Sequence, residues 1–449
     1  MTSAVRVVAI ADSDSYVKWG ASLASQMPDH WDVSLAVIAN PVLPSAEQLE
    51  AALRESTLAS PAVVDLPTLT AWIAREQPDL VLLSLRGPLI KVIVRAVLGA
   101  SDKRPVLVSG LPGISIPATR RAIAHRAQAD LFVLHSKHEV REFTALAAEM
   151  QIDQRFALAT LPFMASGDRG DSAGESGDGA GESGIRAEHP ESGGNTGGTV
   201  GGNPADDVIF AAQAKVPSER EDRVALLGWL AESARAHPDR RVVVKVRAMP
   251  GEQQTHAEKF DFAMLMTELD PPAPANLVVA GGSMGVYLSS AAALVTVSST
   301  AAIEAVALGV PVLAVDAFGV SKSMINLVFE NSGLLGTSAD LIAGRFKQPN
   351  AEWLDDNYFH PPSDNDWIDQ AEQLLAVRAS GPFPAKSLTQ GLLGGAVRHA
   401  FDRKRALGRH DRTLSGGAAL VAGSAPRFAL RVARKVRRHL RVGSAGVLD

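Results

Sequence analysis

The sequence predicts an α/β protein built from two doubly wound, parallel-sheet domains facing a cleft. Three observations carry that expectation. Short β-branched runs alternate with helix-period stretches over residues 1–164. The same rhythm resumes over residues 207–377. Between them, residues 165–206 are dominated by Gly, Ser, Asp and Glu. Strand–helix alternation of this kind implies parallel strands joined by right-handed crossovers, and 449 residues exceed what one hydrophobic core normally serves.

In the first half the apolar runs at 5–10, 33–38, 80–83, 106–108 and 131–134 read as strands buried on both faces. Helices are expected near 17–26, 46–55, 67–76, 88–98, 116–127 and 137–149. Ser136 followed three residues later by Glu139 is a capping-box signature for the last of these. In the second half strands are expected at 208–212, 242–246, 277–280, 294–297 and 312–315. Helices are expected near 219–236, 257–268, 284–291, 300–308 and 321–331. Residues 378–449 read as a helical extension of less regular pattern.

Residues 165–206 lack the large apolar side chains that would offset the entropy of ordering them, and read as a flexible acidic linker. The stretch 291–320 is the most apolar in the chain, but Glu304, Pro311 and Asp316 interrupt it. It reads as a buried strand–helix–strand unit and not as a membrane span, which needs about 20 unbroken apolar residues. No secretion signal is read at the start, so a cytoplasmic protein is expected. The segment between Arg427 and Arg441 sets Phe428, Val432, Val436 and Leu440 four apart among cations. Such a helix can lie on an anionic membrane surface, here the inner face of the cell membrane; a solvated terminus accounts for the same residues.

Composition removes several function classes. With no cysteine, thiolate metal sites and cysteine nucleophiles are excluded, and a net charge of −5 gives no reason to expect a nucleic-acid partner. No P-loop is present, and no Gly-x-Gly-x-x-Gly opens a helix after a strand. The 11 histidines are scattered. Asp12 and Asp14 form an Asp-x-Asp pair, but the end of the first strand of a doubly wound half is the wrong context for a divalent metal. No metal and no cofactor are expected.

The most informative stretch runs from Val297 to Val312: a buried strand, the hydroxyl turn Ser298, Ser299 and Thr300, a short helix, Gly309 as its left-handed stop, and a second strand after Pro311. Small hydroxyls and backbone N–H groups at a helix start beyond a strand's carboxyl end suit a phosphate. Glu304, one turn into the helix, can accept hydrogen bonds from ribose hydroxyls. Capped helix and solvent-facing glutamate remain the plainer account of the same spacing. Lys245 and Arg247, alternate residues at a strand end, share a face where they can neutralise a diphosphate. They read equally as solvated edge charges. Gly282 and Ser283 follow another strand, in a turn that can let a nucleotide base approach the backbone; a plain strand-to-helix turn reads almost as well.

Ser-Ser-Thr-x-x-x-Glu-Ala-x-x-x-Gly-x-Pro-Val resembles the donor-site motif of bacterial glycosyltransferases of the GT-B fold, which have two Rossmann-like domains. Phe318-Gly319-Val320-Ser321-Lys322, followed by Asn326 and by Phe329-Glu330-x-Ser332-Gly333-Leu334, is similar to uncharacterised members of that group, especially those of surface polysaccharide assembly. The resemblance implies a metal-independent sugar transfer from a nucleotide-sugar donor to a glycan or lipid-linked acceptor. It implies donor binding by Lys245, Arg247, Gly282, Ser283, Ser298, Ser299, Thr300 and Glu304. The Lys-Pro-His found in related transferases is absent around Lys245.

In the first half Asp12, Ser13 and Asp14 follow the first strand, where an acceptor would meet the donor, and a carboxylate there can act as general base. A polar helix cap reads the same. His135, at the end of the fifth expected strand, is a second candidate base or a structural histidine. Gly110 and Gly113 belong to a tight loop suited to the acceptor. Two other readings stay open: an enzyme like the non-hydrolysing UDP-N-acetylglucosamine 2-epimerases, which share this architecture, or a relative that binds nucleotide or glycan without turnover.

Overall fold

The computed structural model describes residues 4–54, 56, 58–161, 207–246, 259–384, 386 and 395–421. They group into two units: 4–161 with 361–421, and 207–360.

The first unit is a sheet of seven strands: β1 (Arg6–Ala11), β2 (Asp32–Ile38), β3 (Ala62–Val64), β4 (Leu80–Ser84), β5 (Val106–Gly110), β6 (Leu131–Leu134) and β7 (Arg155–Leu158). Every pairing is parallel, in the order β3-β2-β1-β4-β5-β6-β7. β4, β5 and β6 are buried at every position, as parallel strands covered on both faces must be. The order reverses between β1 and β4, so their carboxyl ends open a topological switch point.

The second unit repeats the plan with six strands: β8 (Asp207–Ala211), β9 (Val242–Lys245), β10 (Leu277–Ala280), β11 (Ala291–Thr296), β12 (Val312–Val315) and β13 (Leu335–Gly336). Their order is β10-β9-β8-β11-β12-β13, again all parallel, with the switch point between β8 and β11. Its core gathers Val208, Phe210, Val244, Val295 and Leu313 around Leu226, Leu227 and Leu230 of the helix Arg220–Ala236.

Three strands, β3, β7 and β13, went unread in the sequence. They have four residues or fewer and lie at or next to sheet edges, where period-two patterning is weakest. The helix expected at 321–331 is reduced to a single 3-10 turn, Leu327–Phe329. Gly319, Ile325 and Asn331 adopt positive φ, and Asn326, fully buried, takes the Ser321 N–H at 2.9 Å and donates to Gly319 O at 3.1 Å. A side chain bonding its neighbours' backbone in this way replaces helical pairing with a looped turn. The capping box at Ser136 forms by half. Ser136 accepts from the Glu139 N–H at 3.0 Å, but the Glu139 carboxylate takes the N–H groups of Ser115 at 2.7 Å and His135 at 2.9 Å.

The domain limit expected at 377 also moves, because the chain returns to the first unit after His360. The helix Trp367–Ser380 lays Trp367, Ala371 and Leu374 into the core formed by Val106, Val108, Leu131 and Val133. Asp366 accepts the Leu158 N–H at 2.7 Å, and Arg378 pairs with Asp79 at 2.6 Å. Trp367, Ala371 and Leu374 stand at i, i+4 and i+7, on one face of the helix, a spacing that does not by itself say which sheet they cover. The tail between Arg427 and Arg441, the expected linker at 165–206 and Arg247 lie outside the described residues.

Candidate functional site

In the second unit the described donor residues expected from the sequence stand at or follow the carboxyl ends of three strands, β10, β9 and β11, with β8 between the last two. Ala280, Lys245 and Ala211 are register partners across β10, β9 and β8. Beyond β10 come Gly281, Gly282 and Ser283, with Gly282 at φ +96°, a conformation that other side chains resist. Lys245 ends β9. It is only 4% exposed, donates to Val246 O at 2.6 Å, and has its Nζ 6.0 Å from the centre of the Tyr287 ring. Tyr287 in turn donates to Gly281 O at 3.0 Å, tying the glycine turn to the cation. A buried ammonium against an aromatic face is held in place by its surroundings more than by solvent.

Beyond β11 the hydroxyl turn is internally braced. Gln213, just past β8, accepts both the backbone N–H of Ser298 at 3.1 Å and its hydroxyl at 2.8 Å. The Ser299 N–H donates to Thr296 Oγ1 at 3.0 Å, and the Ala301 N–H to Ser299 Oγ at 3.2 Å. The helix Ala301–Ala307 is one of short span, and Thr300 makes no side-chain cap bond at its start. Thr300 is half-buried, and neither its N–H nor its hydroxyl bonds to a described residue. Glu304 is half-buried in the following turn. Gly309 ends the helix at φ +71°, and the Val310 N–H returns to Ala305 O at 2.9 Å, as the sequence implied.

In the first unit Asp12 leaves β1 fully buried. Its carboxylate meets Arg86 Nε at 2.7 Å and also accepts from Ser13 Oγ at 3.2 Å. Burial pushes this carboxyl above its ordinary range, and the charge and hydrogen bonds of Arg86 pull against that shift. Ser13 is the N-cap residue of the helix Asp14–Ser25, and half-buried Asp14 opens it, accepting from Ser15 Oγ at 3.4 Å.

His135, past β6, is fully buried with both ring nitrogens bonded. Trp19 Nε1–H donates to its Nε2 at 2.6 Å, so Nδ1 carries the proton toward Ala159 O at 2.8 Å. Gly110 lies so close to Trp19 that an added Cβ would stand 2.3 Å from the indole and 2.6 Å from Val133 O. Gly113, at φ +81°, turns the loop that follows. Asp12, Ser13 and Asp14 thus lie beyond β1, Gly110 ends β5, and Gly113 and His135 lie beyond β5 and β6.

The sequence reading missed Gln213, Tyr287, Asn40 and Arg86. Gln213, Asn40 and Arg86 shared a usable signal: each stands two residues past the end of a strand, β8 and β4 flanking their sheets' switch points and β2 lying next to β1. Tyr287 gave none, since only packing brings it to Lys245. Among the described residues no cluster of three or more metal-ligating side chains occurs, and no helix is long and apolar enough to cross a membrane.

Two Rossmann-like units with these strand orders define a protein of the GT-B type. The chain belongs to the family described as "Putative glycosyltransferase (DUF6716)", whose model matches residues 7–374. Among solved structures, one described as a "putative UDP-N-acetylglucosamine 2-epimerase" from Listeria monocytogenes is 13% identical. The match covers 86% of this chain and 100% of that one, with a TM-score of 0.51. The UDP-GlcNAc 2-epimerase of Neisseria meningitidis bound to UDP-GlcNAc is 10% identical, over 84% of this chain and 100% of that one, with a TM-score of 0.46. A UDP-glucosyltransferase of Polygonum tinctorium is 12% identical, over 85% of this chain and 100% of that one, with a TM-score of 0.45. At such identities the likeness is one of fold. A comparison with curated proteins finds no match.

Proposed function

We propose that this protein is a metal-independent glycosyltransferase that moves a sugar from a nucleotide-activated donor to a glycan or lipid-linked acceptor in surface polysaccharide assembly. The second unit holds the donor. The observation that carries this reading is the row of Gly282, Ser283, Lys245, Gln213, Ser298, Ser299 and Thr300 along neighbouring strand ends that include the switch point. Open sheets of this kind bind ligands at that place.

Lys245, with Arg247 beyond it, faces the diphosphate; Thr300 offers its N–H and hydroxyl; Glu304 takes the ribose hydroxyls. Fixed positive charge and aimed N–H groups stabilise the negative charge that builds on the departing phosphate. The acceptor binds the first unit near Ser13, Gly110 and Gly113. Asp14, half-buried and without a cation bonded to it, is the better candidate for general base there. Asp12 and His135 are sealed into bonds that suit them to hold the site's shape. We further propose that the protein works in the cytoplasm, with the basic segment between Arg427 and Arg441 touching the anionic inner face of the membrane.

Incubation with a panel of nucleotide sugars, with and without acceptor glycans and lipid-linked sugars, tests the reading. Nucleotide release that depends on acceptor is the expected result. Interconversion of the sugar without acceptor, or binding with neither reaction, overturns it.

A further inference from the structure

The first unit carries a second polar cluster at its own switch point. Asp12, Asn40 and Arg86 follow the carboxyl ends of β1, β2 and β4, which are adjacent in the sheet. Arg86 gives Nε to Asp12 at 2.7 Å and Nη2 to Asn40 Oδ1 at 2.7 Å. Its backbone N–H also points at both Asp12 oxygens, at 3.3 Å. Asn40 is locked in turn, donating to Asp12 O at 2.7 Å and Ile38 O at 2.9 Å. One edge of the guanidinium is therefore fixed. Nη1, on the other edge, bonds to no described residue, and the side chain is 33% exposed. A planar fork clamped on one side and open on the other is prepared for an oxyanion.

Arg126, 2% exposed, reaches the backbone of Leu85, the residue before Arg86. It donates to Gly110 O at 2.8 Å, Tyr16 Oη at 2.9 Å and Leu85 O at 3.2 Å, all uncharged acceptors. The Tyr16 phenol is pushed upward, chiefly by burial, and stays neutral. Among the described residues Arg126 makes no ion pair with a carboxylate, and Asp12 is already paired with Arg86. Glu139, also buried, is engaged by the backbone of Ser115 and His135, and Asp14 sits half-buried on the rim. A buried cation short of a counter-charge is costly, and an incoming anion relieves that cost.

We infer that the switch point of the first unit binds a phosphate group carried by the acceptor, gripped by the open edge of Arg86, with the buried charge of Arg126 close by in the chain's fold. This rests on reading the first unit as the acceptor side, and it selects a phosphorylated or phospholipid-linked acceptor over a neutral glycan.

Calorimetric titration of the full chain with inorganic phosphate, and separately with uridine diphosphate, tests it. Phosphate binding is expected to survive Lys245→Ala. It should weaken at least tenfold in Arg86→Gln and severalfold in Arg86→Lys, which keeps the charge without the fork. The paired variant Asp12→Asn/Arg86→Gln removes both charges together and leaves no lone buried carboxylate. It should unfold near the wild-type temperature and still lose phosphate.

Equal phosphate affinity in wild type and the paired variant, or no phosphate bound by wild type, overturns the inference. So does loss of all phosphate binding in Lys245→Ala alone, which would assign the anion to the donor side. Uridine diphosphate bound equally well with and without Lys245, while phosphate still depends on Arg86, leaves this site standing and removes the proposed donor site instead.

Discussion

Gln213 and Ser298 join the two strands that open the second switch point, the Gln213 carbonyl oxygen accepting both the N–H and the hydroxyl of Ser298. The hydroxyl turn that the sequence singled out is therefore positioned from β8 as well as from its own strand. Gln213→Ala removes both bonds. Nucleotide affinity should fall about tenfold, equivalent to ~1.4 kcal/mol, with a small loss of thermal stability. Calorimetric titration with nucleoside diphosphates checks this; unchanged affinity would mean the turn keeps its shape unaided.

Lys245→Ala and Glu304→Ala address the donor site directly. Loss of a charge-assisted phosphate contact, or of a carboxylate bound to ribose, should each weaken nucleotide binding by about ten- to a hundredfold. Because Lys245 is buried against Tyr287, circular dichroism must accompany its titration. Two folded variants with wild-type affinity would end the donor-site assignment.

Asp14 and His135 make opposite predictions. Asp14→Asn should lower kcat about 10²- to 10⁴-fold while leaving nucleotide affinity alone, as loss of a general base does. His135→Gln, at a ring bonded to Trp19 and Ala159, should cost about 1–3 kcal/mol of stability with kcat changed little. Steady-state kinetics and urea unfolding separate the two. The reverse pattern would move the base to His135.

Gly110→Ala tests the packing beneath the acceptor loop. Its new methyl would meet the Trp19 ring at 2.3 Å and Val133 O at 2.6 Å. Overpacking against a backbone carbonyl leaves little room to relax, so about 1–3 kcal/mol of destabilisation is expected in denaturant melts.

His125 gives the fold a pH dependence. Burial, then the charges of Lys91, Arg121 and Arg126, push it down to about 4, with Asp402 opposing; its Nδ1 is buried without a partner. The unfolded chain takes up this proton near pH 6.5 and the folded chain only near 4. The contribution is therefore whole above pH 6.5 and is lost as pH falls from 6.5 toward 4. The ring is partly exposed, and after allowance for solvent screening the loss is on the order of 1 kcal/mol. Urea melts at pH 7.5 and 5.5 should show it in wild type and less of it in His125→Asn; equal pH dependence in both would assign the effect elsewhere.

Much of the fold was legible in the residues themselves. Strands buried on both faces need continuous β-branched runs, so ten of them declared themselves, and the crossover rule supplied the parallel sheets. The turn from Val297 to Val312 was equally readable, because Gly309 and Pro311 act locally. Tertiary structure alone decided the rest. Trp367, Ala371 and Leu374 form a stripe that any apolar sheet face could accept, and only folding shows that it returns to the first unit. Asp12 read as an available carboxylate until Arg86, 74 residues away in sequence, closed on it. His135 read as a base until Trp19 claimed its free nitrogen. Residue type and spacing determine what a segment can form and what a side chain can do; whether a buried group is already satisfied depends on partners that the chain brings together only when it folds.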